Sequence, residues 1–491
     1  MTDSNIGQVP DTHVLKRIDI SPIQILELLE SFKLNMPDYI NDTISQINNK
    51  YCMLSINNTP GEATHTNIND NSSTSKIKKY WLYTTYMNCA ILSNTTLLFR
   101  CFLTKNIVKS IYSNYFECLS PIWNDNMFCY YYYSQGDETF ILILGGTYNL
   151  PIGVYYPYKK SYFNLTYPDF GCHYSDCLHL INQIKLEQII TNINIVNNKD
   201  EAPLSVFFLA WTMNPGHYIW NEVSGIYPLV ETNLLKNVDI VVVGSWDIFN
   251  IGSLILEHNP KCKIVKYKDF VNDPYYIDKN FKYGVIGEGF ILNETKQIIM
   301  NNNNSVNYTN KFVLSIILKL DRGEERYIQN EVYSNLINRL TSSNIIKPES
   351  LYVLFDGLYK HETEKGMSYY LSHKDKYEES VKDIINNIDS RIEYKSLIGM
   401  CPRDLFQHYN SINYFLSTVG ANSYCIRHVY NKNGCLIYPK RFYDWTRDQD
   451  KIYVEDYNHD LEEYVISPDS NNIIDEEQLY NLVISGIQKS I

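Results

Sequence analysis

The run Leu204-Ser205-Val206-Phe207-Phe208-Leu209-Ala210-Trp211, followed by Asn214-Pro215-Gly216-His217-Tyr218-Ile219-Trp220-Asn221-Glu222, decides the fold class of this chain. An apolar run of this kind reads as a strand, and the Gly-His pair after it stands where a helix begins. The His217 imidazole and the Glu222 carboxylate, five residues apart beside Trp220 and Asn221, form an acid–base cluster at a strand-to-helix corner. Open α/β sheets bind their ligands at such corners. The pattern then repeats as a strand over 239–244, an amphipathic stretch from Asp247 to Glu257, and a strand over 262–265.

A second series begins further on. Residues 312–320 are almost continuously apolar, as in a parallel strand covered on both faces. An amphipathic helix over 328–340, a strand over 351–355, a helical pattern over 377–388 and a short late strand at 436–438 follow. Strands alternating with helices imply parallel sheets. Two such series imply an α/β chain with two facing Rossmann-like domains (a GT-B-like plan). The expected divisions are a β-rich N-terminal accessory region over 1–175, a first Rossmann-like domain over 176–305, a second over 306–445, and a tail over 446–491 with a helix packing back. Residues 295–310, containing Asn301 to Asn304, read as an exposed linker.

The N-terminal region carries an amphipathic stretch from Ser21 to Leu34 and an Asn/Thr/Ser-rich loop over 57–78. From Tyr80 to about Phe170 the pattern is mostly short β-prone runs, among them 95–102, the aromatic run 128–133, and 139–144. Those aromatics read first as packed sheet faces and second as platforms for sugar rings.

Composition narrows the function. At 491 residues the chain is long enough for two or three cores. A net charge of −12 argues against a nucleic-acid binder, which needs a basic footprint. The 43 tyrosines, with visible over-use of Asn and Ile, fit an AT-rich coding genome such as that of a large DNA virus. Nothing approaches a membrane span, and residues 1–8 lack the regions of a signal peptide, so a cytoplasmic protein is expected. Eleven cysteines without a CxxC pair read as reduced thiols. Cys172-His173-Tyr174-Ser175-Asp176-Cys177 matches no common zinc spacing.

Several blocks together carry a family resemblance. Residues 214–225 resemble an "N-x-G-H-x-I-W-N-E-x-S-G" segment that opens the first domain of certain two-domain glycosyltransferases. Asp321-Arg322-Gly323-Glu324-Glu325-Arg326, with Gln329 to Glu331, resembles their basic strand end entering a helix. Phe355-Asp356-Gly357-Leu358 is similar to their "I-D-G-F", and Val419-Gly420-Ala421-Asn422 through Asn431-Lys432-Asn433-Gly434 to their late small-residue turn. The blocks stand in the family's order from about 205 to 440, with a more distant likeness to glycosyltransferase family 61. Asn422 and Asn433 depart from the family, which has a smaller residue and a proline there.

The resemblance implies an inverting, metal-independent transfer from a nucleotide-sugar, used as co-substrate with no other cofactor, to a glycan or glycoprotein. A departing diphosphate needs cations or backbone N–H groups at a sheet's C-terminal edge. Lys319, Arg322 and Arg326 stand at such a corner. The same corner also reads as a solvated loop in which the arginines pair with Glu324 and Glu325. Asp356 is expected to hold donor hydroxyls or cap a turn, and Gly420, Ala421 and Asn422 to let backbone N–H groups approach an anion. Arg427 and His428 are further phosphate candidates. His217 is the expected general base, with Glu222 orienting it or binding acceptor hydroxyls, and Trp220 and Asn221 the acceptor contacts. Glu222 reads equally as a first-turn carboxylate favoured by the helix dipole.

No GxxxxGK[ST], GxSxG, HExxH or post-strand GxGxxG occurs, and Asp448-Gln449-Asp450 reads as a surface loop. The rival readings are a glycan- or protein-binding module without turnover, and a structural or interaction protein of a large DNA virus.

Overall fold

The computed structural model describes residues 16–19, 22–57, 85–119, 125–136, 138–145, 150–165, 181, 186–197, 202–209, 218–244, 247, 249–277, 279–286, 293–301, 305–320, 328–360, 364–439, 462–466 and 474–490. They form a mixed α/β molecule with three sheets.

The N-terminal sheet has seven strands: β1 (Lys16–Asp19), β2 (Leu98–Arg100), β3 (Ile107–Leu119), β4 (Asp125–Gln135), β5 (Glu138–Gly145), β6 (Leu150–Tyr156) and β7 (Ser161–Asn164). Their order is β1-β7-β6-β5-β4-β3-β2, antiparallel throughout except for β1 beside β7. All six residues of the aromatic run 128–133 are buried, so both faces of β4 are covered. Tyr133 stacks on Phe140 at 4.5 Å between ring centroids, while Tyr131 donates its hydroxyl to the Tyr283 carbonyl at 2.7 Å. The run is a packing surface, with its edges matched to ring partners.

The second sheet is wholly parallel: β8 (Leu204–Leu209), β9 (Ile240–Val243), β10 (Lys263–Lys266) and β11 (Phe281–Val285), in the order β10-β9-β8-β11. It is joined to the first sheet through β11. Ser113 donates to the Phe281 carbonyl at 2.7 Å, and Tyr115 meets Phe208 at 5.0 Å.

The third sheet is also wholly parallel: β12 (Phe312–Ile317), β13 (Leu351–Asp356), β14 (Glu393–Ser396), β15 (Tyr414–Thr418), β16 (Asn433–Pro439) and β17 (Glu462–Ile466). Its order is β14-β13-β12-β15-β16-β17. In chain order that is 3-2-1-4-5-6, the doubly wound sequence whose direction reverses between its first and fourth strands. Alternation divides β12 between two cores. Leu314 and Ile316 pack with helices Asn330–Ser342, Glu364–Asn386 and Glu476–Ser490. Val313 and Ile317 face the large cluster shared with the other two sheets, which includes Phe406 of helix Pro402–Tyr409. Each such buried aliphatic contributes about 1.5–3 kcal/mol.

Several expectations are corrected. The stretch read as an exposed linker begins inside helix Asn293–Asn301, where Thr295, Lys296 and Ile299 are buried. Asn side chains mark loops only where no partner covers the intervening apolar positions. A helix occupies 85–93 within the span read as β-prone. The helical pattern at 377–388 is the second half of the longer helix Glu364–Asn386. The C-terminal tail contributes a strand, β17, as well as its helix. Loop 57–78, apart from helix-ending Asn57, and the Cys172–Cys177 and Asp448–Asp450 segments lie outside the described residues. Among the described residues, no helix is long and apolar enough to cross a membrane, and Cys89, Cys101, Cys129, Cys262, Cys401, Cys425 and Cys435 are free thiols.

Candidate functional site

The corner after β12 is built by its two leucines. Leu318 and Leu320 are buried, and their backbones are tied down. Leu318 N–H donates to the Asp356 carbonyl at 2.8 Å, and Leu320 N–H donates to the Tyr377 hydroxyl at 3.0 Å. Lys376 donates to the Leu320 carbonyl at 2.8 Å. With alternate residues pinned inward, Lys319 between them is turned the other way. Its side chain runs beside Gly420, where an added Cβ would lie 3.1 Å from Lys319 Cε and 3.5 Å from Nζ. Any side chain at 420 would crowd that stem. Both residues are half-buried.

Gly420 follows β15, the neighbour of β12 across the reversal of strand order. Ser423 locks the turn by donating to the Gly420 carbonyl at 2.7 Å and accepting its N–H at 3.1 Å. The chain continues as the short helix Ala421–Tyr424 and the π-turn Cys425–Val429. π-turns are uncommon and recur at functional sites.

Asp356 closes the corner from the end of β13 and is fully buried. Its Oδ2 accepts the Tyr409 hydroxyl at 2.6 Å and the Asn422 amide at 3.1 Å, while Oδ1 accepts Gly357 N–H at 2.5 Å. Burial raises the carboxyl's pKa, opposed by the Tyr409 and Asn422 hydrogen bonds, the Lys319 charge and the Gly357 N–H. Asp356 is therefore spoken for by the protein: it joins three strand ends and is not open to a ligand hydroxyl. Gly357 has φ +152°, and a Cβ there would meet the Leu318 carbonyl oxygen and the Tyr377 ring. Glycine lets the end of β13 lie close to the chain that carries Lys319.

The corner after β8 lies at the equivalent reversal of the second sheet, between β8 and β11. A π-turn, Tyr218–Val223, runs directly into helix Ser224–Glu231. Glu222 is buried, with 1% of its surface exposed. Buried Tyr218 donates to Asp247 Oδ1 at 3.1 Å, and burial, then the charges of Asp247 and Glu222, push its hydroxyl pKa well up. The same Asp247 oxygen accepts Ile251 N–H at 2.7 Å and so satisfies the first N–H of helix Ile251–His258.

Contacts link the two corners. Arg403 donates to the Asp247 carbonyl at 3.0 Å. Tyr218 stacks on Phe249 (5.7 Å), Phe249 meets Phe406 (5.2 Å), and Phe406 meets Tyr409 edge-on (5.1 Å). Tyr409 then reaches Asp356.

Of the residues singled out in the sequence, Lys319, Asp356, Gly420 and Asn422 come together here, and Glu222 lies at the other corner. For Ala421, Trp220 and Asn221 the structure describes backbone only, and His217, Arg322 and Arg326 lie outside the described residues. Arg427 and His428 are each 2% exposed, and Arg427 donates to the Tyr438 hydroxyl at 3.4 Å, so both are interior groups. Tyr409, Asp247 and Arg403 escaped the sequence reading. Tyr409's spacing from Leu405 marks it only as part of a buried helix face, since periodicity does not say which buried hydroxyl meets a carboxylate. Among the described residues, no group of three or more His, Cys, Asp or Glu is placed to hold a metal ion.

Chemically, the β12/β15 corner offers an ammonium, a glycine turn without a side-chain wall, and a buried carboxylate that holds the turn through Asn422. That combination suits an anion of the size of a phosphate. No protein-family model matches this sequence, and no curated protein matches it.

Proposed function

We propose that the chain is a nucleotide-sugar-dependent glycosyltransferase with two facing Rossmann-like domains, its donor diphosphate bound at the β12/β15 corner. One observation carries this reading: Lys319, Gly420 and the Asp356–Asn422 pair converge where the strand order of a doubly wound parallel sheet reverses. Such a crevice is where this architecture takes nucleotides. Support for the facing arrangement comes from the 3-2-1-4 order of the second sheet and from the contacts of helix Pro402–Tyr409 with Asp247 and Phe249, which follow β9.

In this mechanism Lys319, with Arg322 and Arg326 contributed by the adjoining segment, balances the diphosphate charge that grows as the sugar departs. His217 follows β8 and takes the proton of an acceptor hydroxyl. The hydroxyl oxygen bonds to the anomeric carbon, the carbon–oxygen bond to the diphosphate breaks, and the electron pair leaves on the diphosphate. The acceptor is a glycan or a glycoprotein, met at the β8 corner beside Trp220 and Asn221, and no metal takes part.

The test is thermal unfolding with UDP- and GDP-sugars, with CMP-sugars, which carry one phosphate, as the contrast, followed by transfer assays. A donor held at one hundred times its Kd stabilises the folded state by about 2.7 kcal/mol. One nucleotide-sugar class raises Tm, Lys319→Ala or Arg326→Ala removes the rise, and His217→Ala keeps the rise while losing transfer. Tm unmoved by every nucleotide would overturn the reading; binding without transfer would leave a sugar-nucleotide-binding module.

A further inference from the structure

The Asp356 cluster holds an additional residue to which the sequence assigned no role. Tyr409 is fully buried on helix Pro402–Tyr409, and its hydroxyl makes a 2.6 Å bond to Oδ2, the oxygen that also takes Asn422. A buried carboxylate stays ionised only while donors surround it, and a charged acceptor holds its donors more firmly than a neutral one. Without the Tyr409 hydroxyl, Oδ2 retains Asn422 alone, and a carboxylate with one donor fewer holds that anchor of the Gly420 turn to β13 less firmly. Asn422 Oδ1 is meanwhile buried without a hydrogen-bond partner among the described residues.

We propose that Tyr409 is a positioning residue of the crevice: acting through Asp356, it holds the Gly420–Asn422 turn against Lys319 at the spacing a phosphate requires. The proposal rests on the reading of this corner as a nucleotide-diphosphate site. Tyr409 touches no ligand in this arrangement, because its hydroxyl is committed to Asp356. Its ring leans on Phe406, which meets Phe249 of the other corner, so the residue also ties the crevice to the second sheet.

The experiment uses the full chain and four proteins: wild type, Tyr409→Phe, Lys319→Gln and the double variant. Each is titrated calorimetrically with UDP and with uridine, which lacks the diphosphate. Tyr409→Phe is expected to weaken UDP about tenfold and uridine less than about twofold. In the Lys319→Gln background the UDP loss should shrink to under about twofold, since groups acting through one another are not additive. An equal loss for UDP and uridine, or the same tenfold loss in both backgrounds, overturns the positioning role while leaving the proposed function standing.

A second readout needs no ligand. Acylation of Lys319 by an amine-reactive ester, followed by mass spectrometry against exposed Lys347, should run several-fold faster in Tyr409→Phe than in wild type. If wild type is stabilised by no nucleotide-sugar in the thermal screen, the proposed function fails and this rate alone decides the claim; an unchanged rate overturns it. Should Tyr409→Phe not fold, Asp356→Asn takes its place, with the same loss and the same rise in acylation expected.

Discussion

Two glycines at the crevice separate backbone demand from space for a neighbour. Gly357 holds φ +152°, with the Leu318 carbonyl where a Cβ would stand. A side chain there meets both backbone strain, of about 1–3 kcal/mol, and rigid backbone that does not give way. Gly357→Ala should therefore lower urea-unfolding stability by about 2 kcal/mol or more; a change below about 0.5 kcal/mol would contradict the geometry. Gly420 has no such strain, and its nearest neighbour is the flexible Lys319 stem. Gly420→Ala should fold with a stability change of at most about 0.5 kcal/mol, yet weaken UDP severalfold because the ammonium is pushed aside. Lys319, Asp356 and Gly420 were legible in the sequence because each stands where an apolar run must stop as a strand ends. Their mutual distances were not, because long-range pairing decides which strand ends become neighbours.

Helix Pro402–Tyr409 shows what an element adds to its residues. Its inner face carries Phe406 and Tyr409 to the two corners, while His408, 2% exposed, packs beside Tyr308. His408 Nδ1 is 2.6 Å from the Tyr308 hydroxyl, and Nε2 is 3.4 Å from Lys395 Nζ. Burial first, then the Lys395 charge, lower its pKa to about 4, with Asp404 opposing. The unfolded chain takes up this proton near pH 6.5 and the folded chain only near 4, so this contribution is complete above about 6.5 and is lost as pH falls toward 4. His408→Gln should accordingly flatten the fall of the urea midpoint between pH 7 and 4.5; an unchanged slope would show that another group governs it. Elements of low apolar contrast were the ones sequence reading passed over. β14 is Glu-Tyr-Lys-Ser, mostly exposed at a sheet edge, and reads as a loop until β13 pairs with it. β11, Phe-Lys-Tyr-Gly-Val, carries a lysine and a glycine, and its identity as a strand comes from β8 on one edge and the N-terminal sheet against it.

At the scale of the whole molecule, three sheets share one large buried cluster, and Phe249 lies where the second and third meet. Phe249 is 1% exposed between Tyr218 and Phe406. Phe249→Ala should cost about 3–5 kcal/mol in urea unfolding; a loss under about 1 kcal/mol would mean that these rings do not hold the sheets together. The presence of two parallel α/β series was legible from the alternation of strands and helices. The burial of the aromatic N-terminal sheet against β11, and the helix where a linker was expected, depended on partners that no local pattern announces. The most direct test of the account is a crystal structure of the protein with UDP bound. The diphosphate is expected between Lys319 Nζ and the backbone of residues 420–422, at the reversal between β12 and β15. A diphosphate seated elsewhere, or Lys319 turned away from it, would contradict the claim that this corner is the donor site.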